Sequence, residues 1–589
     1  MSLLPATSRR GAAVTLLATA TLLLAATVAW AAGELTQKPE AAGCVSNLGV
    51  GGCGTGKALV GATGVATSPD GRNVYVASAE SDAIAVFDRD RTTGELTQKQ
   101  GLAGCTSETG SDGACEDGRG LNGASRVAIS PDGRSVYVTS VSSALAILDR
   151  DPATGELSQL DDPRGCISTL GSGGACTPGR GIGAAVGVAV SPDGKTVYVA
   201  SVASAAVAIF ERAPAGGLAQ PDGTAGCVSD GGRDGCADGD AMGAAFDVVV
   251  SPDGRSVYVA IPDRGSVAVF DRDRDGALTP RPGPVLCDLG CRAGARPEFP
   301  VALATSADGE SVYVASGGPL PDGGGAISIL DRDQVSGALT RKPGAAGCIS
   351  EDGSGGACAD GTAIVDPFDI AVGSGGADVY VAGRTSDAVA VFDRDRATGT
   401  LTQKPAAPCI SETGTGGECG DGTALDGAVG ISLSPDGGNL YAAAPGSTAV
   451  AILDRAGAAP VPPPTPVPTP TPTPAPPPRP EGDIVAPTVS RFGISPARFR
   501  ARRRGRARFR FTLSEPATVR IRVERAFAGR GVGRLTQRDR PAGRNTLAFS
   551  GRLRGRTLAP GRYRATISAV DRAGNRSAER RTGFTIRRP

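Results

Sequence analysis

One feature limits this chain more than any other: a segment of about sixty residues recurs seven times. Its marker is Ser-Pro-Asp-Gly, whose first position falls at Ser68, Ser130, Ser191, Ser251, Ser306, Gly373 and Ser434. A tyrosine follows each marker by seven residues, at Tyr75, Tyr137, Tyr198, Tyr258, Tyr313, Tyr380 and Tyr441. A fixed period of this length means that each unit buries its apolar face against its neighbours. Within a unit, Val65-Ala66-Thr67 enters the Pro-Asp-Gly turn and Val74-Tyr75-Val76-Ala77 leaves it. Ala83 to Phe87 is a third apolar run, and Glu95 to Lys99 is a polar fourth that suits an outer edge. Four antiparallel strands per unit, seven times over, predict an all-β, seven-bladed β-propeller.

The ends of the series fit a ring. The seventh unit stops after Ala451-Ile452-Leu453-Asp454-Arg455 without a fourth strand. Gly33-Glu34-Leu35-Thr36-Gln37-Lys38 is a fourth strand with no unit before it. Pairing the two closes the propeller with its N-terminal strand and removes both open edges.

Four regions follow along the chain. Residues 1–31 are a secretory signal, with Arg9 and Arg10 before an apolar run and a small-x-small ending at Ala31. The paired arginines fit either general or twin-arginine export. Residues 32–455 are the propeller. Residues 456–483 are a Pro/Thr-rich linker, extended as polyproline helix, whose threonines are candidates for O-linked sugar. Residues 484–589 alternate apolar and polar, as in Phe509-Arg510-Phe511-Thr512-Leu513, and predict a small β-sandwich. No transmembrane span is expected once the signal is cleaved, so the protein is read as secreted or associated with a cell surface.

The cysteines agree with export. Fourteen occur, two per unit: Cys44 with Cys53, Cys105 with Cys115, Cys166 with Cys176, Cys227 with Cys236, Cys287 with Cys291, Cys348 with Cys358, and Cys409 with Cys419. Each pair brackets a Gly/Ser/Asp-rich loop, as expected of local disulfides in an oxidising compartment. Zinc is disfavoured, because each loop offers two ligands and the chain has no histidine. No cofactor is expected beyond one weak calcium candidate. Asp271, Asp273 and Asp275 precede Gly276 at alternate positions, like the start of a calcium loop, although Pro282 stands where an EF-hand has its twelfth ligand.

Charge divides between the regions. Residues 484–589 hold 28 arginines, no lysine and five acids, a net of +23, which leaves −22 on the remainder. A preference for arginine over lysine does not explain the lack of acids. The basic domain is read as an anchor for an anionic cell-surface polymer, and nucleic acid is not expected.

Sites are sought where the repeat breaks its own symmetry. The aspartates Asp88, Asp149, Asp271, Asp331, Asp393 and Asp454 recur and are read as turn residues that bond their own backbone. Four residues before the marker, however, the units read Gly64, Arg126, Gly187, Asp247, Ala302, Asp369 and Gly430. Arg126, Asp247 and Asp369 are therefore the candidates for holding an unknown polar ligand or glycan at a channel mouth. They are expected to be spread round the opening and not all in contact with one another, while interdigitated side chains leave little room for chemistry inside the ring.

On Ser-Pro-Asp-Gly, on Val-Tyr-Val-Ala and on Val391 to Leu401, the chain from about Gly33 to Arg455 resembles the lactonase-type seven-bladed propellers. These are relatives of phosphogluconolactonase and of bacterial surface propellers with a Tyr-Val-Thr-Asn-like strand. The C-terminal domain resembles bacterial immunoglobulin-like domains, on Leu558 to Tyr563 and Asp571 to Asn575. The first resemblance implies charged residues at the channel mouth, in some members with a histidine, acting on a lactone. Without a histidine or a nucleophile motif, the sequence favours a secreted or cell-surface binding protein. The alternative is a lactonase-type hydrolase acting on a sugar lactone.

Overall fold

The computed structural model describes residues 33–160, 163–214, 216–239, 242–281, 299–317, 325–351, 353–457, 486–501, 507–525, 531–553, 556–570, 577–578 and 580–587. The expected signal segment, the pair of Cys287 and Cys291, and nearly all of the linker lie outside these residues. Two compact units are present, divided at Pro462. Among the described residues no helix is long and apolar enough to cross a membrane.

Seven sheets make up the first unit. In the first blade the inner strand Ala62–Thr67 pairs with Asn73–Ser78, which pairs with Ala83–Arg89. The middle strand is buried along its whole length, as are all but one residue of the third. Such doubly covered strands tolerate the unbroken apolar runs seen in the sequence. The Ser-Pro-Asp-Gly turn is held by its own side chains. Ser68 Oγ donates to Asp70 Oδ1 (2.6 Å) and accepts from the Asn73 N–H (3.0 Å).

The outer position differs from expectation. It is shared by two short strands, Leu96–Gln98 against Phe87–Arg89 and Cys105–Ser107 against Ala83–Ala85. A three-residue fourth strand leaves half of the third strand's edge open. The cysteine loop folds back to cover it, and Glu116–Asp117 adds a parallel pairing outside. The bond between Cys105 and Cys115 ties that covering segment to itself.

Among the described residues six disulfides form, each within one loop and spanning nine or ten residues. Cys44 bonds to Cys53, Cys105 to Cys115, Cys166 to Cys176, Cys227 to Cys236, Cys348 to Cys358, and Cys409 to Cys419. These are six of the seven pairs expected from the sequence. The seventh, Cys287 with Cys291, falls outside the described residues. The six bonds suit an oxidising, extracellular environment. Peptide mapping of the unreduced chain is expected to link only these neighbours. Opening one loop should cost about 2–3 kcal/mol by chain entropy. A map that joins different loops would overturn the pairing.

Leu35, Thr36 and Gln37 pair with Arg455, Asp454 and Leu453, and Cys44–Asn47 continues along the same strand. Both ends of the propeller thus meet in one sheet. The inner strand of that sheet lies beside the inner strand of the first blade, as every other inner strand lies beside the next.

Side chains join each blade to the following one. Tyr75 Oη donates to the Gly155 carbonyl of the next blade (2.8 Å) and accepts from Arg150 Nε (2.7 Å). Arg150 Nη2 also pairs with Asp70 (2.8 Å) and donates to Asn73 Oδ1 (2.6 Å). The same clasp recurs around the ring through Arg212, Arg272, Arg332, Arg394, Arg455 and Arg89. The recurring tyrosines are therefore structural. In the sixth blade, where Gly373-Ser374-Gly375-Gly376 lacks the aspartate, Asp378 takes its place and pairs with Arg455. Gly33 completes that clasp by accepting from Tyr380 Oη (2.9 Å). Its φ is +89°, and a Cβ there would lie 1.8 Å from Asp378 Oδ1, so only glycine fits.

The aspartates that follow the third apolar run are not turn residues. Asp88 belongs to the strand Ala83–Arg89, accepts from Asn73 Nδ2 and pairs with Lys99 (2.5 Å). The turn is capped by the next aspartate, Asp90, which accepts from the N–H groups of Thr92 and Thr93. Strand alternation explains the shift: Asp88 points outward, where the end of the outer strand places a lysine.

The second unit is a two-sheet sandwich around one core. A three-stranded sheet contributes Phe509 and Phe511, and a five-stranded sheet contributes Val519, Ile521, Tyr563 and Phe584. Tyr563 Oη donates to the Ala559 carbonyl (2.6 Å), which fastens the turn before its strand.

Candidate functional site

The inner strands enter the channel through β-bulges, for example between Ala62 and Gly64 and between Pro367 and Asp369. A bulge re-aims the residues at it: the residue after it is Gly64, Gly187, Ala302 or Asp369, and in the second blade Arg126 lies inside it. At Gly64 a Cβ would lie 2.3 Å from the Ser125 carbonyl oxygen, and at Gly187 2.8 Å from that of Phe246. These glycines let the neighbouring blades bring Arg126 and Asp247 close. The small members of the series are therefore packing residues, and its charged members project side chains.

The three charges line one cavity of about 350 Å³ in the ring. Its walls also include Val65, Val188, Leu303 and Ile431. The channel is not filled, contrary to the expectation from large–small alternation: Val65, Val127 and Val188 line the cavity wall.

Two of the three charges meet across the channel. Arg126 Nη1 pairs with Asp369 Oδ2 at 2.9 Å, although the residues are four blades apart in sequence, and Nη2 donates to the Phe368 carbonyl at 3.3 Å. The arginine side chain is long enough to cross the channel. Both partners keep 17% of their side-chain surface, which faces the cavity. Asp369 is fixed further by the Ile431 N–H (2.9 Å) and the Ile370 N–H (3.0 Å). Burial works to lower the Arg126 pKa, but the attraction of Asp369 and Asp247 outweighs it and holds the guanidinium firmly charged.

Among the described residues no cation stands within ion-pair distance of Asp247. Its Oδ2 accepts the Leu303 N–H at 2.9 Å. Burial, with a smaller repulsion from Asp369, pushes its pKa up to about 6 against the opposing pull of Arg126. A carboxylate poised near neutrality, facing a cavity, can accept and return a proton at physiological pH.

Two aromatic residues stand beside the charges of the site, and the sequence reading missed them. Phe246 and Phe368 meet edge to face at 5.8 Å, each immediately before one of the aspartates. Arg384 lies 4.8 Å over the Phe368 ring and pairs with Asp366 (2.6 Å). The signal was present: a Phe-Asp pair occurs at the same repeat position in two blades and in no other.

The calcium candidate does not converge. Asp271 pairs with Arg281 (2.7 Å), and Asp273 accepts the N–H groups of Asp275 and Ala277. Alternate residues that end one strand and enter a turn point in different directions. Among the described residues no group of three such side chains could hold a metal ion.

With this geometry established, relatives can be compared. The family model "Lactonase, 7-bladed beta-propeller" matches residues 65–229. Over those residues the ring is similar to the lactonase-type propellers. The match spans Arg126 but stops before Asp247 and Asp369, so it speaks for the fold and only one member of the site. Among curated proteins, none matches the chain. Of solved structures, the Pseudomonas aeruginosa periplasmic gluconolactonase is 19% identical with a TM-score of 0.41, over 61% of this chain and 86% of its own. The Kuenenia stuttgartiensis hydrazine synthase is 16% identical with a TM-score of 0.43, over 70% and 99%. At that distance neither likeness selects an activity for this ring.

Proposed function

We propose that the ring hydrolyses a lactone in its central cavity and that the protein works outside the cytoplasm. The observation that carries this reading is Asp247, a half-buried carboxyl with a pKa near 6, facing the same cavity as the Arg126–Asp369 pair. The lactonase-type fold supports it, as do the six disulfides. In the proposed step Asp247 takes a proton from water, and the hydroxide adds to the lactone carbonyl carbon. Arg126, which has five N–H donors and uses two on Asp369 and Phe368, supports the oxyanion. The ring C–O bond then breaks, and the leaving alkoxide takes the proton back from Asp247. The product is a hydroxy acid.

A non-catalytic binding role at the same cavity is the second reading. It is favoured by the ion pair, which already engages Arg126 without a substrate. A pH-stat assay of the full mature chain with five- and six-membered sugar lactones separates the two. Turnover above spontaneous opening is expected, rising tenfold per pH unit below about 6 and levelling above it as Asp247 becomes the carboxylate. A lactone that raises the melting temperature without being opened faster than in buffer would establish binding instead.

A further inference from the structure

The C-terminal sandwich carries a second site, independent of the ring. Alternation along its five-stranded sheet sends Val519, Ile521, Val523, Tyr563, Ala565 and Phe584 inward. The opposite face exposes Arg520 and Arg522 on one strand, Arg562 and Arg564 on the next, and Arg581 on the third. Register places Arg522 opposite Thr566, and Thr566 opposite Arg581, in one row across three strands. Arg498, also exposed, lies beside Thr585 on the fourth strand. Acidic positions on this sheet are few: Glu524 lies opposite Arg564, and Asp539 falls in the bulge opposite Thr518 on the edge strand.

Such a face opposes folding. Like charges on neighbouring strands repel, and threonine at positions such as Thr566 shows that a neutral residue fits there. Composition does not account for it either, because a preference for arginine leaves the near-absence of acids unexplained. The spacing is regular. Strands stand about 4.8 Å apart and alternate residues about 6.7 Å apart, so the guanidinium groups form a grid that a chain of repeating anions can follow. Guanidinium binds phosphate and carboxylate through paired N–H groups, so either anion suits it.

We propose that this face of the five-stranded sheet binds a linear anionic polymer of a cell surface, whose phosphate or carboxylate groups recur every few ångströms. Inorganic polyphosphate and polygalacturonate are the probes, and they separate the two anion chemistries. The full mature chain is expected to bind at least one of them at low salt and to lose it steeply as salt rises. Replacing Arg520, Arg522 and Arg564 together by Gln should weaken binding about tenfold, since several modest contacts are lost at once. The charge-matched control replaces Arg508, Arg510 and Arg544, exposed on the three-stranded sheet, and should change binding less than about twofold on the same scale. Equal losses in the two triple variants would overturn the assignment to one face. So would tighter binding to a DNA duplex or to phosphatidylglycerol vesicles, or no binding to either probe. The salt dependence of the unaltered chain needs no variant to fold.

Discussion

Asp247→Asn is expected to reduce lactone turnover by about a hundredfold to ten-thousandfold, the range typical of a lost general base. The change is close to isosteric, and the amide oxygen can still accept the Leu303 N–H. What disappears is the group that takes the proton, so the pH dependence near 6 should vanish with the rate. Stability supplies a second readout of opposite sign. The folded-state pKa of about 6 lies above the ordinary 3.8, so the carboxyl is more easily ionised when the chain is unfolded. Its contribution to stability is full below pH 3.8 and falls as pH rises to about 6. Asparagine does not ionise. The variant should therefore be more stable than the parent at pH 8, by an amount on the order of 2–3 kcal/mol, with no gain at pH 3.5. A merely structural aspartate would show the reverse, a loss of stability on replacement. Asp369→Asn supplies that contrast, because it weakens the partner of a charged, cavity-facing Arg126. Unchanged turnover in Asp247→Asn would remove the hydrolase reading from this cavity.

The repeat was legible because each blade is built from local signals. The turn chemistry of Ser68 to Gly71, the apolar runs and the paired cysteines all act within one unit. The pairing of Leu35–Gln37 with the last strand was legible as well, since it required only that two incomplete units be matched. Contacts between units were not. Arg150 and Tyr75 recur in every blade and Asp70 in six of the seven, so each looked like a residue satisfied within its own hairpin. Their bonds run instead to a neighbour some 75–80 residues away. The outer edge was misread for a related reason: a cysteine loop, read only as a link to the next blade, supplies strands to its own. For the site, broken symmetry identified Arg126, Asp247 and Asp369, but their convergence depends on side-chain reach across a narrow channel. Burial decides the chemistry of Asp247, and a list of neighbours along the chain cannot show burial.

Arg89→Ala is expected to cause a large loss of stability in the ring. Arg89 belongs to the first blade and grips the seventh. Its Nε donates to Tyr441 Oη (2.6 Å), and its two Nη groups reach Asp436 (2.8 and 3.0 Å), Asn439 Oδ1 (2.5 Å) and the Gly71 carbonyl (3.0 Å). The arginine side chain is 1% exposed and that of Asp436 is 12% exposed. Truncation therefore strands a largely buried carboxylate and several buried acceptors, which costs about 3–5 kcal/mol. The exposed neighbour Arg91 provides the control, and Arg91→Ala should stay within about 0.5 kcal/mol. The ion pair also predicts a pH effect. Burial works to raise the Asp436 pKa, but the bonds from Arg89, Ser434 and the Gly438 N–H outweigh it and hold the pKa below the usual 3.8. A lowered pKa stabilises above the unfolded value, and that contribution is lost as pH falls through the folded one. The parent should therefore lose stability below pH 3.8, and Arg89→Ala, having given up the pair, should lose less over the same interval. Arg332→Ala breaks the same clasp between the fourth and fifth blades and should cost a similar amount at equilibrium. The two should differ in where the ring opens. Blades four and five remain joined by continuous chain, whereas the first and seventh are held by the N-terminal strands and by this clasp. Hydrogen exchange in Arg89→Ala should rise first in Ala83–Arg89 and Ala449–Arg455, before the rest of the ring. Uniform exchange across all seven blades would mean that the ring opens as one cooperative body and that the seam between its ends is no weaker than its other joints.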